Sequence, residues 1–345
     1  EIRIGSRKSK LALLQSEHII EELTSTNKSI EKCSIIEIVT KGDKILDKAL
    51  SKIGGKGLFT AELEASLANG KVDIAVHSLK DLPTTLPNRM ALLGISNHRE
   101  DRRDCLLVSS FHGKKTLNDL AEKSVIGTSS LRRSAQLNAV YAHKQFTFKS
   151  IRGNLQTRLG KLDNYAEYGY DAIILAVAGV VRLGWSDRIA QYLCPKTECL
   201  PAVGQGALGI EYCVPTLPDS LKKHMLSVFQ SPKNYHNIVC CYAERAYLRK
   251  LEGGCSVPIG VFAQLSSDNV LSMMGIVCSV DGSERIKASV KSSIQVLKAQ
   301  QQQQQQQSVD ALIKQSEAVG ESLALKLIEK GAEKILEVYR QQKSD

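Results

Sequence analysis

The chain has 345 residues, of which 43% are hydrophobic, and carries a formal net charge of +10 at pH 7. This length is sufficient for two or three domains, and no stretch approaches the roughly 20 apolar residues that a membrane span needs. The nine cysteines are an odd number without metal-ligand spacing, which argues against a disulfide framework or a metal site and favours a reducing, cytoplasmic location. The positive charge predicts acidic partners: nucleic acid, an anionic membrane or a polycarboxylate ligand.

Strands and helices alternate over the first two thirds of the chain. The first residues predict a strand and not a signal peptide, although a sequence that begins without methionine leaves a removed leader open. Helices are predicted from about Ser9 and at 58–67, 131–141 and 155–165. Strands are predicted at 34–39, 72–76, 91–95, 106–108, 125–126, 146–151 and 172–176. This alternation predicts an α/β architecture.

Two segments mark crossings between domains: the charged residues 97–104 and the glycine-rich residues 203–209. Beyond about residue 225, strands near 260–265 and 271–280 and a pair of C-terminal helices predict a smaller α+β unit. We therefore expect three domains, formed by residues 1–99 plus 204–223, 100–203, and 224–345. Residues 41–57 fit either a mobile flap beside a cleft or an ordinary connector. The glutamine tract at 300–307 predicts a disordered surface insertion without a catalytic part.

Basic residues follow the ends of several predicted strands, in the first turn of the next helix. The clearest cases are Arg7, the pair Arg132 and Arg133, and Arg152 with Arg158 one turn later. Cations there oppose the helix dipole by about 0.3–1 kcal/mol each, and a bound anion would resolve that conflict. Solvated surface arginines are the alternative at any single position. Recurrence favours an anion-binding cleft, because strand ends of an open α/β sheet converge.

The segment from His77 to Pro83 places Lys80 and Asp81 side by side at the end of a predicted strand. Neighbouring cations favour the ionised form of Asp81, which could then stabilise a developing cation and transfer protons. Lys80 could bind an anionic group. A plain Asp-Leu-Pro turn with a surface lysine fits the same residues, and His77 is expected to be a packed residue at the strand end.

Cys255 lies in the run Leu-Glu-Gly-Gly-Cys-Ser-Val-Pro, directly after a predicted helix over 239–251. The C-terminal end of a helix disfavours a thiolate, so this loop suits a fixed attachment point better than a nucleophile that turns over. A buried cysteine packed under a turn fits the local pattern as well.

Motifs from Ile4 to about Tyr339 resemble those of the porphobilinogen deaminase family, also called hydroxymethylbilane synthase. They are Gly5-Ser6-Arg7-Lys8-Ser9, Gly42-Asp43-Lys44, His77-Ser78-Leu79-Lys80-Asp81-Leu82-Pro83, Gly127-Thr128-Ser129-Ser130-Leu131-Arg132-Arg133, Ile151-Arg152-Gly153-Asn154, Val203-Gly204-Gln205-Gly206-Ala207-Leu208 and Glu252-Gly253-Gly254-Cys255-Ser256-Val257-Pro258. The resemblance implies two α/β domains like type II periplasmic binding proteins, and a smaller α+β domain. It also implies that four porphobilinogen molecules are joined to a covalent dipyrromethane primer with loss of ammonia, before water releases hydroxymethylbilane.

The resemblance also implies roles for individual residues. Asp81 is the catalytic carboxylate with Lys80 beside it, and Cys255 holds dipyrromethane through a thioether. Residues expected to bind the cofactor are Arg7, Ser9, Lys80, Thr128, Ser129, Arg132, Arg133, Arg152, Gly153, Arg158 and Gln205. Residues expected to bind the carboxylates of porphobilinogen are Arg7, Arg152, Arg158 and Arg182. A monomer without nucleic-acid or membrane partners is expected.

Two other classes of protein share some of these features. A two-lobed binding protein for an anionic small molecule would have the same fold and arginine cleft, but it has no need of the domain that carries Cys255. A nucleic-acid-binding protein would explain the charge, but aromatic residues make up only 5% of the chain and no stacking platform is evident.

Overall fold

The structure is a computed structural model that describes residues 1–26, 30, 32–44, 57–113, 115–251, 257–296 and 302–344. Its strands are β1 (Ile2–Arg7), β2 (Cys33–Ile38), β3 (Ile74–Ser78), β4 (Met90–Ile95), β5 (Asp104–Val108), β6 (Val125–Gly127), β7 (Thr147–Lys149), β8 (Ala172–Ala176), β9 (Gln191–Tyr192), β10 (Leu208–Cys213), β11 (Ile259–Leu265), β12 (Val270–Cys278) and β13 (Arg285–Ser293). Its α-helices are α1 (Lys10–Thr26), α2 (Lys41–Lys44), α3 (Ala61–Ala68), α4 (Leu131–Val140), α5 (Leu155–Asp163), α6 (Tyr165–Tyr168), α7 (Val177–Arg182), α8 (Asp219–Phe229), α9 (Tyr235–Lys250), α10 (Gln302–Glu329) and α11 (Ala332–Ser344). The predicted α/β class with a smaller α+β unit is confirmed.

Two five-stranded sheets share one pattern of strand directions. The first has the order β2-β1-β3-β10-β4, and the second has the order β7-β6-β8-β5-β9. In each sheet the first three strands are parallel, and the fourth runs antiparallel to both of its neighbours. The carboxyl ends of β1, β3, β6 and β7 therefore lead into the segments that carry the predicted arginines and Asp81. Parallel packing of strands places those segments along common sheet edges.

The third sheet, β11-β12-β13, is antiparallel and packs against α9 and α10. Apolar residues of α10, among them Val309, Leu312 and Leu323, are buried in the core that these elements form. The helix begins at Gln302, so the prediction of a disordered insertion is wrong for residues 302–307. Glutamine is a good helix former, and a helix anchored by its later turns extends readily into such a tract.

The two crossings lie side by side. The backbone amide of Glu100 donates to the Gly206 carbonyl at 3.2 Å. Gly206 has a φ of +89°, and a Cβ there would lie 2.2 Å from the Glu100 carbonyl oxygen, so only glycine fits. Glu244 of α9 accepts from Arg99 at 2.8 and 3.1 Å and from the Gly204 amide at 2.8 Å. One buried carboxylate thus fixes the third unit to both crossings.

Within the described ranges, no helix has both the length and the apolar composition to cross a membrane. No cluster of three or more His, Cys, Asp or Glu side chains that could hold a metal ion occurs in the same ranges. The cysteines described there are free thiols.

Candidate active site

Strand β3 ends in a short 3-10 turn, Leu79–Asp81, which carries the predicted catalytic pair. Leu79 is buried and anchors the turn, whereas Asp81 is exposed. Burial lowers the pKa of Lys80 to about 8, against the opposing attraction of Asp81. Asp81 also acts electrostatically on Arg158, which belongs to the second α/β unit. Asp81 therefore lies within electrostatic range of Arg158, and Lys80 lies within electrostatic range of Arg132 and Arg133, all of the facing unit.

A buried ionic centre lies at the start of β5. Asp104 is fully buried and accepts from Arg132 Nη1 at 2.6 Å and from Arg133 Nη2 at 2.7 Å. Gln205 Nε2 donates to the same carboxylate at 2.9 Å, and Gln205 Oε1 accepts from Lys80 Nζ at 3.4 Å. Burial raises the pKa of Asp104, but the two guanidinium groups outweigh this effect and hold it well below its usual range. A chain of contacts thus joins the Leu79–Asp81 turn to the second unit.

Asp104 explains how two arginines are tolerated in the first turn of a helix. Arg132 and Arg133 in the first turn of α4 oppose its dipole, and Asp104 supplies a counter-charge from within the chain. Arg132 also donates to the Leu200 carbonyl at 2.7 Å. Sequence reasoning missed Asp104; the available signal was an acid placed at the head of an otherwise apolar, buried strand.

Arg152 and Arg158 make no ion pair with any residue that the structure describes. Arg158 Nε donates to the carbonyl of Gly153 at 2.9 Å, which fixes the guanidinium over the loop before α5. Burial and, to a smaller extent, the charges of Arg133 and Arg152 lower the pKa of Arg158 to about 10, against the opposing attraction of Asp81. Arg158 is therefore repelled by both Arg133 and Arg152, and an anion placed beside it would be attracted.

The other predicted binding residues make local contacts. Ser9 Oγ accepts from the Ala12 amide at 3.3 Å and caps α1. Thr128 Oγ1 accepts from the Ser130 amide at 3.2 Å, and Ser129 Oγ donates to the Ile151 carbonyl at 2.8 Å.

Two further arginines, Arg182 and Arg7, were predicted in the cleft, and His77 was predicted to pack at the end of its strand. Arg182 donates to the Gly206 carbonyl at 2.8 Å, so it lies at the crossing between the units. Arg7 pairs with Asp43, a partner that sequence reasoning did not assign. His77 is buried, and its Nε2 lies 3.0 Å from Glu211 Oε2, as expected of a packed residue.

Two predictions fall outside the described residues. Cys255 belongs to the undescribed stretch 252–256, which follows α9 and precedes β11. Most of the predicted flap, residues 45–56, is likewise undescribed. The helix predicted before Cys255 is confirmed as α9.

Solved structures of binding proteins overlap this chain only weakly. The alkanesulfonate-binding protein SsuA from Xanthomonas axonopodis pv. citri is 14% identical, with a TM-score of 0.35, over 66% of this chain and 71% of that one. A similarity of this size carries no weight for function.

Comparison with known sequences is far more specific. The family model described as porphobilinogen deaminase, dipyromethane cofactor binding domain, matches residues 2–215, and the model of the porphobilinogen deaminase C-terminal domain matches residues 238–329. Porphobilinogen deaminase of Synechococcus sp. (strain CC9311) is 45% identical over 97% of this chain and 96% of its own length. That of Gloeobacter violaceus is 50% identical over 83% of each chain. The chain therefore belongs to the porphobilinogen deaminase family, a transferase family with a dipyrromethane cofactor.

Proposed function

We propose that the cleft between the two α/β units joins porphobilinogen molecules, with Asp81 as the catalytic carboxylate and Cys255 as the attachment point of dipyrromethane. When bound, dipyrromethane supplies the pyrrole carbon to which the substrate is joined. The observation that carries the proposal is Arg158, which has no ion pair among the described residues, is repelled by Arg133 and Arg152, and lies within electrostatic range of Asp81. The residues present fit a group bearing acetate and propionate side chains, because its carboxylates would relieve that repulsion.

The reaction breaks the bond between the aminomethyl carbon of porphobilinogen and its nitrogen, and ammonia leaves. Positive charge then develops on the substrate. Asp81 is exposed at the end of a short turn that the buried Leu79 anchors. Its carboxylate can therefore face that charge, stabilise it, and accept the ring proton that is lost when the new carbon–carbon bond forms. Lys80 and the arginines hold the carboxylates, which keeps the reacting rings in line.

The assignment of the remaining residues follows the same logic. We assign the substrate carboxylates to Arg7, Arg152, Arg158 and Arg182. We assign the dipyrromethane site to Arg7, Ser9, Lys80, Thr128, Ser129, Arg132, Arg133, Arg152, Gly153, Arg158 and Gln205. The three sheets support three domains, for which we propose the division 1–99 plus 204–223, 100–203 and 224–345. Helix α8 crosses the last of these boundaries, and its Met225, Val228 and Phe229 pack in the core of the first sheet, so that boundary belongs after α8. We propose that the protein is a monomer in the cytoplasm, and the free thiols among the described cysteines fit a reducing compartment.

Intact mass spectrometry tests the attachment point. The purified wild-type chain is expected to carry a dipyrromethane adduct, and adding porphobilinogen is expected to extend that adduct in regular mass steps. Cys255→Ser should show neither the adduct nor turnover, whereas Cys194→Ser, which changes a partly buried thiol in the second α/β unit, should show both. A wild-type enzyme that turns over without any adduct would overturn the proposal.

Arg152→Ala is expected to slow elongation about 10- to 100-fold, because one charge-assisted contact to a carboxylate is worth about 1.5–3 kcal/mol. The measurement is the rate at which each mass step appears on loaded enzyme. Arg188→Ala is the matched control, since Arg188 already pairs with Asp163 at 2.6 Å on the same unit. If the mass steps appear at equal rates in Arg152→Ala and Arg188→Ala, Arg152 does not bind the substrate carboxylates.

A further inference from the structure

We propose that Asp43 is a positioning residue that holds Arg7 so that one edge of its guanidinium faces the carboxylate of the ligand. The inference rests on the proposed role of Arg7 in binding carboxylates and adds a residue that the family motifs left without a role. Arg7 is the last residue of β1, and Asp43 lies in the short helix α2, so the pair joins the sheet edge to the start of the segment 41–57.

The contact uses a single edge of the guanidinium. Arg7 Nη2 donates to Asp43 Oδ1, and Arg7 Nε donates to Oδ2 at 3.4 Å. Asp43 is itself fixed, because Oδ2 also accepts from the Thr40 amide at 3.3 Å and from Thr40 Oγ1 at 2.8 Å. Burial raises the pKa of Asp43, but the hydrogen bonds from Arg7 and Thr40 outweigh it and lower the pKa below its ordinary value. The aspartate is therefore a charged and immobilised acceptor at neutral pH.

An aromatic ring covers a face of the same guanidinium. Arg7 Cζ lies 4.3 Å from the centre of the Phe59 ring, a cation–π contact. The ring and the aspartate are held together, because the Gly42 amide donates to the Leu58 carbonyl at 3.0 Å. Gly42 permits this approach, since a Cβ there would lie 2.2 Å from the Phe59 ring. Asp43 and Phe59 thus form one clamp around Arg7.

The clamp leaves a defined part of Arg7 for a ligand. Among the residues that the structure describes, no hydrogen bond uses Nη1, and the side chain keeps 27% of its surface exposed. The Nη1–Nη2 edge matches the spacing of the two oxygens of a carboxylate. Because Arg7 is already ordered, binding a carboxylate costs less conformational entropy than it would for a free arginine.

A second possible role for Asp43, competition with the ligand for Arg7, predicts a change in KM of the opposite sign. If Asp43 only competed with the ligand carboxylate for Arg7, removing its charge would lower KM for porphobilinogen. If Asp43 positions Arg7, removing its charge raises KM and acts through Arg7 alone. A double-mutant cycle separates the two, because effects that pass through one partner do not add.

The experiment compares Asp43→Asn, Arg7→Ala and the double variant, with KM and kcat normalised to the fraction of chains that mass spectrometry finds loaded. We expect Asp43→Asn to raise KM about tenfold with kcat within about twofold, and Arg7→Ala to raise KM further. The double variant should match Arg7→Ala. Asp163→Asn, which breaks an Asp–Arg pair on the other unit, is the control and should leave KM unchanged.

Each outcome decides one question. An unchanged KM in Arg7→Ala refutes the role of Arg7 in the proposed function, and the inference falls with it. If Arg7→Ala raises KM and the effect of Asp43→Asn adds to it in the double variant, Asp43 does not act through Arg7. The positioning role of Asp43 is then overturned, whereas the carboxylate-binding role of Arg7 stands. A lowered KM in Asp43→Asn identifies a competitor instead. If Asp43→Asn does not fold, Asp43→Glu replaces it. This variant keeps the negative charge but displaces the acceptor oxygens by one methylene, and it is tested in the same double-mutant cycle with Arg7→Ala.

Discussion

Replacing Asp81 with asparagine is expected to lower kcat by about two to four powers of ten while leaving the fold intact. Asparagine has nearly the same shape but cannot carry the negative charge that faces the developing cation, and it is a poor proton acceptor. Because Asp81 is exposed at the end of its turn, we expect its replacement to leave the packing of the buried residues unchanged. The measurement is single-turnover extension of loaded enzyme, with the melting temperature recorded in parallel.

The control for this prediction is Asp187→Asn. Asp187 is also exposed and also lies in a 3-10 turn beside a basic residue, Arg188, but on the second unit away from Lys80. The control should keep wild-type kcat. If Asp81→Asn extends the chain at a rate within about tenfold of wild type, electrostatic stabilisation by this carboxylate is not the main source of catalysis.

The parts of the site that could be predicted from sequence are local in the chain. The turn after β3, the helix before Cys255 and the arginines at the starts of α4 and α5 each depend on residues within one or two turns of each other. Apolar periodicity and the order of strands and helices were enough to give the α/β class.

The parts that sequence did not predict depend on contacts between distant residues. Asp104 meets Arg132 and Arg133 across 28 and 29 positions, and it meets Gln205 across 101. The glycines at 203–209 predict a crossing, but the strand β10 that follows is defined by its antiparallel pairing with β3 and β4. Hydrophobic patterns mark which residues are buried, whereas the partner of a buried charge is set only when the sheets assemble.

Strand β13, at the edge of its sheet, is another element that the sequence alone did not predict. Its apolar residues Ile286, Ala288 and Val290 alternate as a strand requires, but Ala288 alone is buried, and an arginine, lysines and serines fill the other positions. A strand that covers little core gives a weak pattern, and pairing with β12 defines it.

Asp104→Asn is expected to lower the free energy of unfolding by about 3–5 kcal/mol, because it leaves two buried arginines facing each other without a counter-charge. The neutral amide would also have to place its NH₂ group near guanidinium N–H groups, which gives unsatisfied donors. Urea unfolding at pH 7 measures the loss. Asp101→Asn is the matched control: it breaks a partly exposed pair with Arg103 and should cost less than about 1 kcal/mol.

The pH dependence of the unfolding free energy of wild type and of Asp104→Asn gives an independent check. Asp104 has a folded pKa well below its unfolded value of about 3.9, so its stabilisation is fully present above that value and is lost as the pH falls towards the folded pKa. The difference between wild type and Asp104→Asn should therefore be constant near neutral pH and shrink below about pH 4. A difference that persists unchanged in acid would mean that packing, and not charge, accounts for the loss.

The Asp104→Asn variant should also raise KM, because Gln205 joins Asp104 to Lys80. This effect would link the buried ionic centre to the turn that carries Asp81.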